Sequence, residues 1–182
     1  MPDLGTDPDL PTLTDMLPLD YGDLDGGLVR MMERHRTDGT LTGDAEADAF
    51  LRASPEAVLL GLLFDQRVRA ESAFTGPQRL HARLGHLDLT RIAAHDPDDL
   101  RLHFAAVPAV HRFTNTMAET TQKVASAVCE TYDGRAAALW DDGADAETVA
   151  RRVRALPGFG PDKAKKIRYV LHYFGHRDFS GG

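Results

Sequence analysis

A glycine-rich turn followed by lysines is the stretch of this chain whose residue types could do chemistry. Residues 156–166 read LPGFGPDKAKK. Gly158 and Gly160 allow backbone conformations that a side chain forbids, and they let another molecule approach closely. Because the turn leads into a predicted helix, its unpaired N–H groups would point outward at the positive end of the helix dipole. The turn therefore predicts a phosphate-binding hairpin, which positions a nucleic acid without reading its bases.

The residues that follow the hairpin both weaken and support such a site. Pro161 has no N–H to donate, and Asp162 puts a negative charge at the helix start, where the helix dipole favours an acid by about 0.3–1 kcal/mol. Lys165 and Lys166 point away from the face that must be buried, and Lys163 lies at its edge, where it could border a cleft. The predicted buried face consists of Ala164, Ile167, Leu171 and Phe174.

Metal and cysteine chemistry have little support in the sequence. His172 and His176 are spaced i and i+4 and could chelate a metal, but no third ligand is evident. We therefore expect a surface pair of histidines and no metal site. Cys129 is the single cysteine, which excludes a disulfide framework, a four-cysteine zinc site and a four-cysteine iron–sulfur cluster. No cofactor is predicted.

The elements that must position these residues are helical. Ser54 is placed as an N-cap before Pro55, and residues 57–64 are apolar almost all round, which predicts a helix at the centre of the core. Gly76-Pro77 is expected to break the chain. Further helices are predicted at about 78–84, 89–94, 97–105, 115–132, 145–155 and 161–174. No segment alternates as a strand does, so the predicted fold class is all-α.

The 182 residues are expected to form one domain with unevenly distributed charge. Residues 1–40 are rich in Asp, Gly and Pro and predict an acidic N-terminal arm, partly flexible or wrapped on the surface, before a domain over 41–182. Residues 151–182 hold eight Lys or Arg and two Asp or Glu, although the net charge of the chain is −7. This basic segment indicates either a polyanionic partner or a solvated helix face.

The N-terminal sequence MPDLGTDPDLPTL is acidic and interrupted by prolines. It lacks the basic start and the apolar run of a signal peptide, and no stretch approaches eighteen uninterrupted apolar residues. We therefore expect a cytoplasmic protein without a membrane partner, associated with the nucleoid if DNA is its ligand.

The motifs together resemble the helix–hairpin–helix–GPD superfamily of base-excision DNA glycosylases, the endonuclease III-like proteins. The segments LTGDAEADAFL, LLFDQRVRAESAFTGP, AVHRFTNTM and LPGFGPDKAKK occur in the order and at the spacing of a small bacterial branch without an iron–sulfur cluster. The resemblance covers residues 41–175 approximately. It implies a multi-helix DNA-glycosylase fold with a helix–hairpin–helix motif, damaged double-stranded DNA as the partner, and room for a monovalent cation at the hairpin.

The resemblance also implies roles for individual residues. Gln66, with Arg67 beside it, falls where relatives insert a polar side chain into the gap left by a flipped base, and Phe113 falls where they place an apolar wedge. A solvent-facing glutamine and a core phenylalanine are the alternatives. His111 and Arg112, beside the wedge, could touch phosphates. The hairpin residues that would grip the DNA backbone are Leu156, Gly158, Phe159, Gly160, Lys163 and Lys166.

The chain departs from the superfamily at the residues that carry its chemistry. Relatives that cleave the DNA strand have a lysine two residues after the second hairpin glycine, where this chain has Asp162, so lyase activity is not expected. The catalytic aspartate of the superfamily falls near the position of Ser180. Asp178 is the nearby carboxylate and hence the candidate catalytic residue, which would stabilise an oxocarbenium-like sugar or deprotonate water.

The sequence thus favours a monofunctional DNA N-glycosylase of base-excision repair, which would bind duplex DNA, flip a base and hydrolyse its N-glycosidic bond. A non-catalytic DNA-binding module of the same fold stays open, as does a helical protein whose acidic arm binds a protein partner. Superfamily members pack helices that follow the catalytic loop onto helices near the N-terminus. Here we expect the N-terminal arm to cover that surface, or part of a lobe to be missing.

Overall fold

The computed structural model describes residues 19–22, 24 and 26–180, and every regular element within those residues is a helix. The all-α class predicted from the sequence is confirmed. The α-helices in this part of the chain are α1 Gly27–Asp38, α2 Ala45–Ala53, α3 Pro55–Phe64, α4 Ala70–Leu84, α5 Leu89–Ala94, α6 Pro97–Ala105, α7 Thr114–Tyr132, α8 Ala146–Arg154, α9 Pro161–Lys165 and α10 Ile167–Tyr173, with a 3₁₀ helix at Ala136–Leu139 between α7 and α8. No described helix is long and apolar enough to cross a membrane.

Helix α3 occupies the centre of the core, as its composition predicts. The Ser54 hydroxyl accepts a hydrogen bond from the N–H of Ala57 at 3.1 Å, and Pro55 stands in the first turn. All residues from 57 to 64 are buried. Gly61 lets α4 approach closely, because a Cβ at this position would lie 2.4 Å from Cδ1 of Phe74. Other helices therefore surround α3.

Helix α4 corrects the prediction of a break at Gly76-Pro77. The helix runs from Ala70 to Leu84 with Pro77 inside it. Gly76 is buried, and a Cβ there would lie 2.8 Å from Cδ2 of Phe64 and 3.0 Å from the carbonyl oxygen of Val110. Glycine at this position thus serves close packing between elements and does not form a turn. Tertiary packing outweighs the local cost of the proline.

The basic C-terminal helix is also divided where the sequence predicts one helix over 161–174. Its predicted apolar face is buried, but α9 ends at Lys165 and α10 begins at Ile167. The N–H groups of Lys166 and Tyr169 bond the carbonyl groups three residues earlier, each at 3.1 Å. This tighter turn separates the five residues of α9 from the helix that follows.

The N-terminal segment differs from the predicted arm. Residues 27–38, which fall inside the stretch 1–40, form α1, and α1 buries Leu28, Met31 and Met32 in the core. The hydroxyl of Tyr173 donates to the carbonyl oxygen of Leu19 at 3.2 Å. Apolar residues at helical spacing are the physical reason, since they give α1 a face to bury. The N-terminal segment thus covers part of α10, while residues 1–18 of the predicted arm lie outside the described residues.

The C-terminal segment after α10 is anchored to several elements. The ring of His176 donates to the carbonyl oxygen of Leu51 at 2.7 Å, and the Arg177 guanidinium donates to the carbonyl oxygen of Trp140 at 2.5 Å. His172 is only 2% exposed. The expected surface pair of His172 and His176 is therefore wrong, because both rings are turned into the protein and His176 holds the backbone of another helix.

Candidate nucleic-acid interface

The last turn of α3 brings together three segments that the sequence singles out. The Lys163 ammonium donates to the carbonyl oxygen of Leu63 at 3.0 Å, which ties the hairpin to α3. The His111 ring donates through Nε2 to the carbonyl oxygen of Phe64 at 2.9 Å, which ties in the segment 111–113. The segment that contains Gln66 leaves α3 at this same point. Residues distant in sequence therefore meet at one end of one buried helix.

The hairpin between α8 and α9 is anchored by its apolar side chains and open along its backbone. Leu156 and Phe159 are each only 5% exposed, so their side chains point into the core. Gly158 has a φ of +82°, and a Cβ on it would lie 2.7 Å from Cγ2 of Thr120 and 2.8 Å from Cδ1 of Leu63. Gly160 is exposed, and no atom lies within 4 Å of the position of its Cβ. The exposed glycine backbone is thus what the hairpin offers to a ligand.

The lysines after the hairpin occupy different environments. Lys163 is half-buried, and its burial lowers the pKa of its ammonium, although the charge of Asp65 raises it. Its hydrogen bond to Leu63 satisfies a carbonyl at the C-terminal end of α3, where the helix dipole favours a cation. Lys165 is exposed and Lys166 is partly exposed. Neither of these two side chains forms an ion pair with a described residue, so both remain available to an anion.

The residues that follow α3 form an exposed turn. The N–H of Gln66 donates to the carbonyl oxygen of Phe64 at 2.7 Å, and the Gln66 side chain is exposed. Arg67 adopts a φ of +57°, in the left-handed region that non-glycine residues seldom occupy. Such conformations cost of order 1–3 kcal/mol and cluster at functional sites. The turn therefore presents Gln66 and Arg67 to solvent.

His111 is buried and organises the loop of the predicted wedge. Its Nε2 atom donates to Phe64, and its Nδ1 atom accepts a hydrogen bond from the N–H of Phe113 at 3.0 Å. Burial lowers the pKa of the ring. The structure gives His111 this positioning role and leaves Arg112 as the exposed cation of the loop. Phe113 is half-buried, and the Arg112 guanidinium carbon lies 5.5 Å from the centroid of its ring.

A cleft of about 640 Å³ opens beside this turn and carries strong positive charge. It is lined by Gly27, Arg30, Asp65, Arg67, Val68, Arg69, Ala70 and Arg112. Two of its arginines are partly neutralised, since the Arg30 Nε atom lies 2.9 Å and the Arg69 Nε atom 3.6 Å from carboxylate oxygens of Glu71. Arg67 and Arg112 form no ion pair with a described residue. The cleft therefore suits an anionic ligand.

Asp65 is a cleft residue that the sequence reasoning missed. It is half-buried, and its carboxylate forms no hydrogen bond or ion pair with the described residues. Burial raises the pKa of Asp65, while the charges of Lys166 and Lys163 lower it. One signal was present in the sequence: the acid follows an apolar helix directly, at the end where the helix dipole disfavours negative charge. Burial disfavours the charged form of this carboxylate, and a carboxyl group with a perturbed pKa in a cleft is a candidate functional group.

Arg30 was missed for a different reason. It belongs to α1, and its position in the predicted arm gave no indication that it would reach the cleft. Glu71, at the start of α4, holds it there through two hydrogen bonds of 2.9 and 3.1 Å. Only the folding of α1 against α4 brings the two residues together.

Asp178 forms none of the contacts described above. Its carboxylate accepts hydrogen bonds from the N–H and the hydroxyl of Ser180 at 2.9 and 2.5 Å, and it is 3.7 Å from Nδ1 of His172. The Ser180 hydrogen bonds lower the pKa of Asp178, and its side chain is 49% exposed. The structure brings it into no hydrogen bond or ion pair with the hairpin, with Asp65 or with the 111–113 loop. The described contacts of Asp178 are thus confined to Ser180 and His172.

The chain was compared with protein-family models, curated proteins and solved structures, and no match was found. Any function must therefore be inferred from the site itself.

Proposed function

We propose that this protein is a DNA-glycosylase-like protein of base-excision repair, which binds damaged duplex DNA through its hairpin and hydrolyses an N-glycosidic bond. The observation that carries the proposal is the convergence at the last turn of α3. The carbonyl groups of Leu63 and Phe64 bond Lys163 from the hairpin and His111 from the wedge loop, directly before Gln66. One surface of the protein would then contact the DNA backbone, the flipped nucleotide and the gap that this nucleotide leaves.

The charge of this surface supports a nucleic-acid ligand. Arg67, Arg112 and Lys166 are at least partly exposed and form no ion pair with described residues. Because the whole chain has a net charge of −7, it does not attract polyanions in general. A local cluster of cations without ion pairs therefore indicates that a polyanion binds at this surface. The exposed backbone of Gly158 and Gly160 adds contacts to phosphate that carry no sequence preference.

Gln66 and Phe113 would handle the flipped base. Gln66 stands exposed on the turn after α3, and Phe113 is half-buried in the neighbouring loop. Unstacking a base costs a few kcal/mol, and a side chain that fills the gap offsets part of this cost. In this proposal Gln66 fills the gap, and Phe113 wedges against the opposite strand.

The chemistry requires a carboxylate at the sugar. Water would attack C1′, the bond from C1′ to the base nitrogen would break, and the base would leave with the bonding electrons and take up a proton. The carboxylate would stabilise the developing positive charge or accept the proton of the water. Asp65 is the better placed candidate, because it lines the cleft without a hydrogen-bonding partner among the described residues. Asp178 is the candidate that the family resemblance suggests.

A non-catalytic DNA-binding module of the same fold is the second candidate function. The specific observation in its favour is the position of Asp178, which is exposed, bonded to Ser180 and separate from the hairpin contacts. If Asp65 has only an electrostatic role in the cleft, the protein would hold DNA and perform no chemistry.

Base release separates the two functions. Duplexes carrying uracil, hypoxanthine, alkylated purines, oxidised bases or mismatched adenine would be incubated with excess protein under single-turnover conditions. The proteins compared would be the wild type, Asp65→Asn, Asp178→Asn and, as a matched control, Asp133→Asn, whose residue is exposed at a helix end. Release that is lost in Asp65→Asn and kept in Asp133→Asn supports the glycosylase. No release from any duplex, with DNA still bound, supports the module.

DNA binding is tested separately through its salt dependence. Two or three phosphate contacts predict a slope of log K against log salt of roughly −2 to −3. Arg112→Ala or Lys166→Ala should reduce the slope by about one. Lys123→Ala is the control, because Lys123 is exposed on α7 and already pairs with Glu119 at 3.1 Å. Absence of binding at low salt would contradict both DNA functions.

A further inference from the structure

Three potential metal ligands meet at the junction between α5 and α6, outside the cleft described above. His95 Nε2 lies 2.6 Å from Oδ2 of Asp99, and His103 Nε2 lies 3.2 Å from the same oxygen. The three ligand atoms all lie within 4.8 Å of one another. The two imidazole centroids are 5.8 Å apart. Asp99 and His103 share a face of α6, and His95 stands just before that helix.

Other helices hold the backbone of both histidines in place. The side-chain amide of Gln122, on α7, donates to the carbonyl oxygens of His95 at 2.6 Å and of Ile92 at 3.1 Å. The Arg83 guanidinium, on α4, donates to the carbonyl oxygen of His103 at 2.7 Å. The backbone positions of the two histidines are therefore fixed before an ion binds. This lowers the entropy cost of bringing their imidazoles together around a metal ion.

We propose that His95, Asp99 and His103 bind one divalent first-row transition metal ion of the Zn²⁺ class. Two imidazole nitrogens and a carboxylate oxygen are ligands that Zn²⁺ accepts at about 2.0–2.2 Å, so tetrahedral ligand atoms lie about 3.4 Å apart. Oδ2 of Asp99 lies 2.6 Å from Nε2 of His95 and 3.2 Å from Nε2 of His103. Each of these two distances must change by less than about 1 Å to reach the tetrahedral separation. Imidazole ligands disfavour Mg²⁺ and Ca²⁺.

The exposure of the cluster fits an accessible site with an open coordination position. The Asp99 side chain is 50% exposed, and those of His95 and His103 are 23% and 31% exposed. An ion can therefore enter from solvent, and water or a further ligand can complete its coordination. The metal would link the α5–α6 junction to the first two turns of α6, and this role does not depend on DNA binding.

The test is direct binding of Zn²⁺ to the full chain, by competition with a chromophoric chelator, together with visible spectroscopy of the Co²⁺ form. We expect one Zn²⁺ per chain at micromolar or tighter affinity and the intense d–d bands of tetrahedral Co²⁺. Mg²⁺ should not compete. His95→Gln and His103→Gln should each weaken Zn²⁺ binding by at least about tenfold. Asp99→Asn should weaken it as well.

The control is the double variant His81→Gln with His86→Gln, which removes two imidazoles from the same region and leaves the cluster intact. It should bind one Zn²⁺ with wild-type affinity and give the same Co²⁺ spectrum. Equal weakening in the control, or no stoichiometric binding by the wild type, would overturn the proposal. If a variant fails to fold, the Co²⁺ spectrum of the wild type still tests the proposal, because absence of the tetrahedral d–d bands would contradict it.

Discussion

The ammonium nitrogen of Lys163 lies 3.0 Å from the carbonyl oxygen of Leu63, a residue one hundred positions earlier in the chain. Its hydrogen bond satisfies one of the carbonyl groups that a helix leaves unpaired in its last turn. The hairpin is therefore joined to the central helix through a charged side chain. Lys163 has three donors in total, so this contact leaves it able to approach a phosphate as well.

Replacement of Lys163 by Met should destabilise the fold. The variant keeps the apolar stem and leaves the Leu63 carbonyl without its partner, at a cost of about 1–3 kcal/mol. Lys165→Met is the matched control, because Lys165 is exposed on the same helix, and it should change stability by less than about 0.5 kcal/mol. Urea unfolding of both variants measures the difference. Equal stability of the two would show that the Leu63 contact contributes nothing.

The two hairpin glycines should separate folding from binding. Gly158→Ala places a Cβ at a φ of +82° and within 2.8 Å of Leu63 and Thr120 atoms, so it should cost at least about 1–3 kcal/mol of stability. Gly160→Ala meets no atom and has a φ of −81°, so it should leave stability within about 0.5 kcal/mol. Because Gly160 is exposed, its new methyl group should instead weaken DNA binding.

Thermal or urea unfolding and DNA titration of the two glycine variants test this separation. Gly160→Ser should weaken DNA binding as Gly160→Ala does, and because Gly160 is the N-cap of α9, its hydroxyl should make it at least as stable as Gly160→Ala. A Gly160→Ala protein that unfolds as easily as Gly158→Ala would contradict the structure. One that binds DNA as the wild type does would contradict the role of the hairpin in binding.

Asp65→Asn should make the protein more stable and less active. Burial raises the pKa of Asp65, so between its ordinary value of 3.8 and the raised value the folded state binds more protons than the unfolded state. Stability therefore falls as pH rises through this window, and the penalty persists at neutral pH. The neutral amide removes the penalty, and we expect a gain of about 0.5–2 kcal/mol at pH 7.

Urea unfolding at several pH values measures this gain, and base release measures the expected loss of activity. Asp178→Asn should show the opposite pattern in stability, because hydrogen bonds from Ser180 lower the pKa of Asp178. Its stabilising contribution is present at neutral pH and is lost as pH falls below 3.8. A loss of stability in Asp65→Asn at pH 7 would mean that Lys163 and Lys166 stabilise the charged carboxylate more than burial destabilises it.

Local signals explain which parts of the fold could be predicted. The start of α3 follows from Ser54 and Pro55, and its central position follows from the unbroken apolar run after them. Gly76 and Pro77 are equally strong local signals and were misleading, because Gly76 is needed for contact with Phe64. Sequence alone does not distinguish a glycine that turns the chain from one that lets two helices approach.

The candidate site shows the same division. Gly158 and Gly160 mark the hairpin in the sequence, because the requirement for glycine is local. The cleft beside the turn after α3 depends on Arg30 from α1 and on Asp65, directly after α3, which come together only through packing against α4. His111 shows the limit for a single residue, since its type fits both a phosphate contact and the buried hydrogen bond that it forms.

The buried histidines should make the protein sensitive to mild acid. Burial lowers the pKa of His111 and of His176 below the ordinary value of 6.5, so below that pH the unfolded state binds more protons than the folded state. Their contribution to stability is therefore present above pH 6.5 and is lost as pH falls toward the lowered values. Each ring adds at most about 1.4 kcal/mol per pH unit to this slope. Protonation of His111 would also remove the acceptor of the Phe113 N–H.

Urea unfolding between about pH 7.5 and about pH 5, a span of about 2.5 units around the ordinary histidine pKa, in the presence of a metal chelator, measures this slope. His111→Gln should be less stable than the wild type at pH 7.5, because it disturbs the hydrogen bonds to Phe64 and Phe113, and its stability should depend less on pH. His81→Gln, which removes a half-exposed imidazole packed against Phe50, is the control for the loss of one imidazole. If His111→Gln has the same slope as the wild type, the acid sensitivity belongs to His176, and the His111 ring accepts a proton in place without loss of the fold.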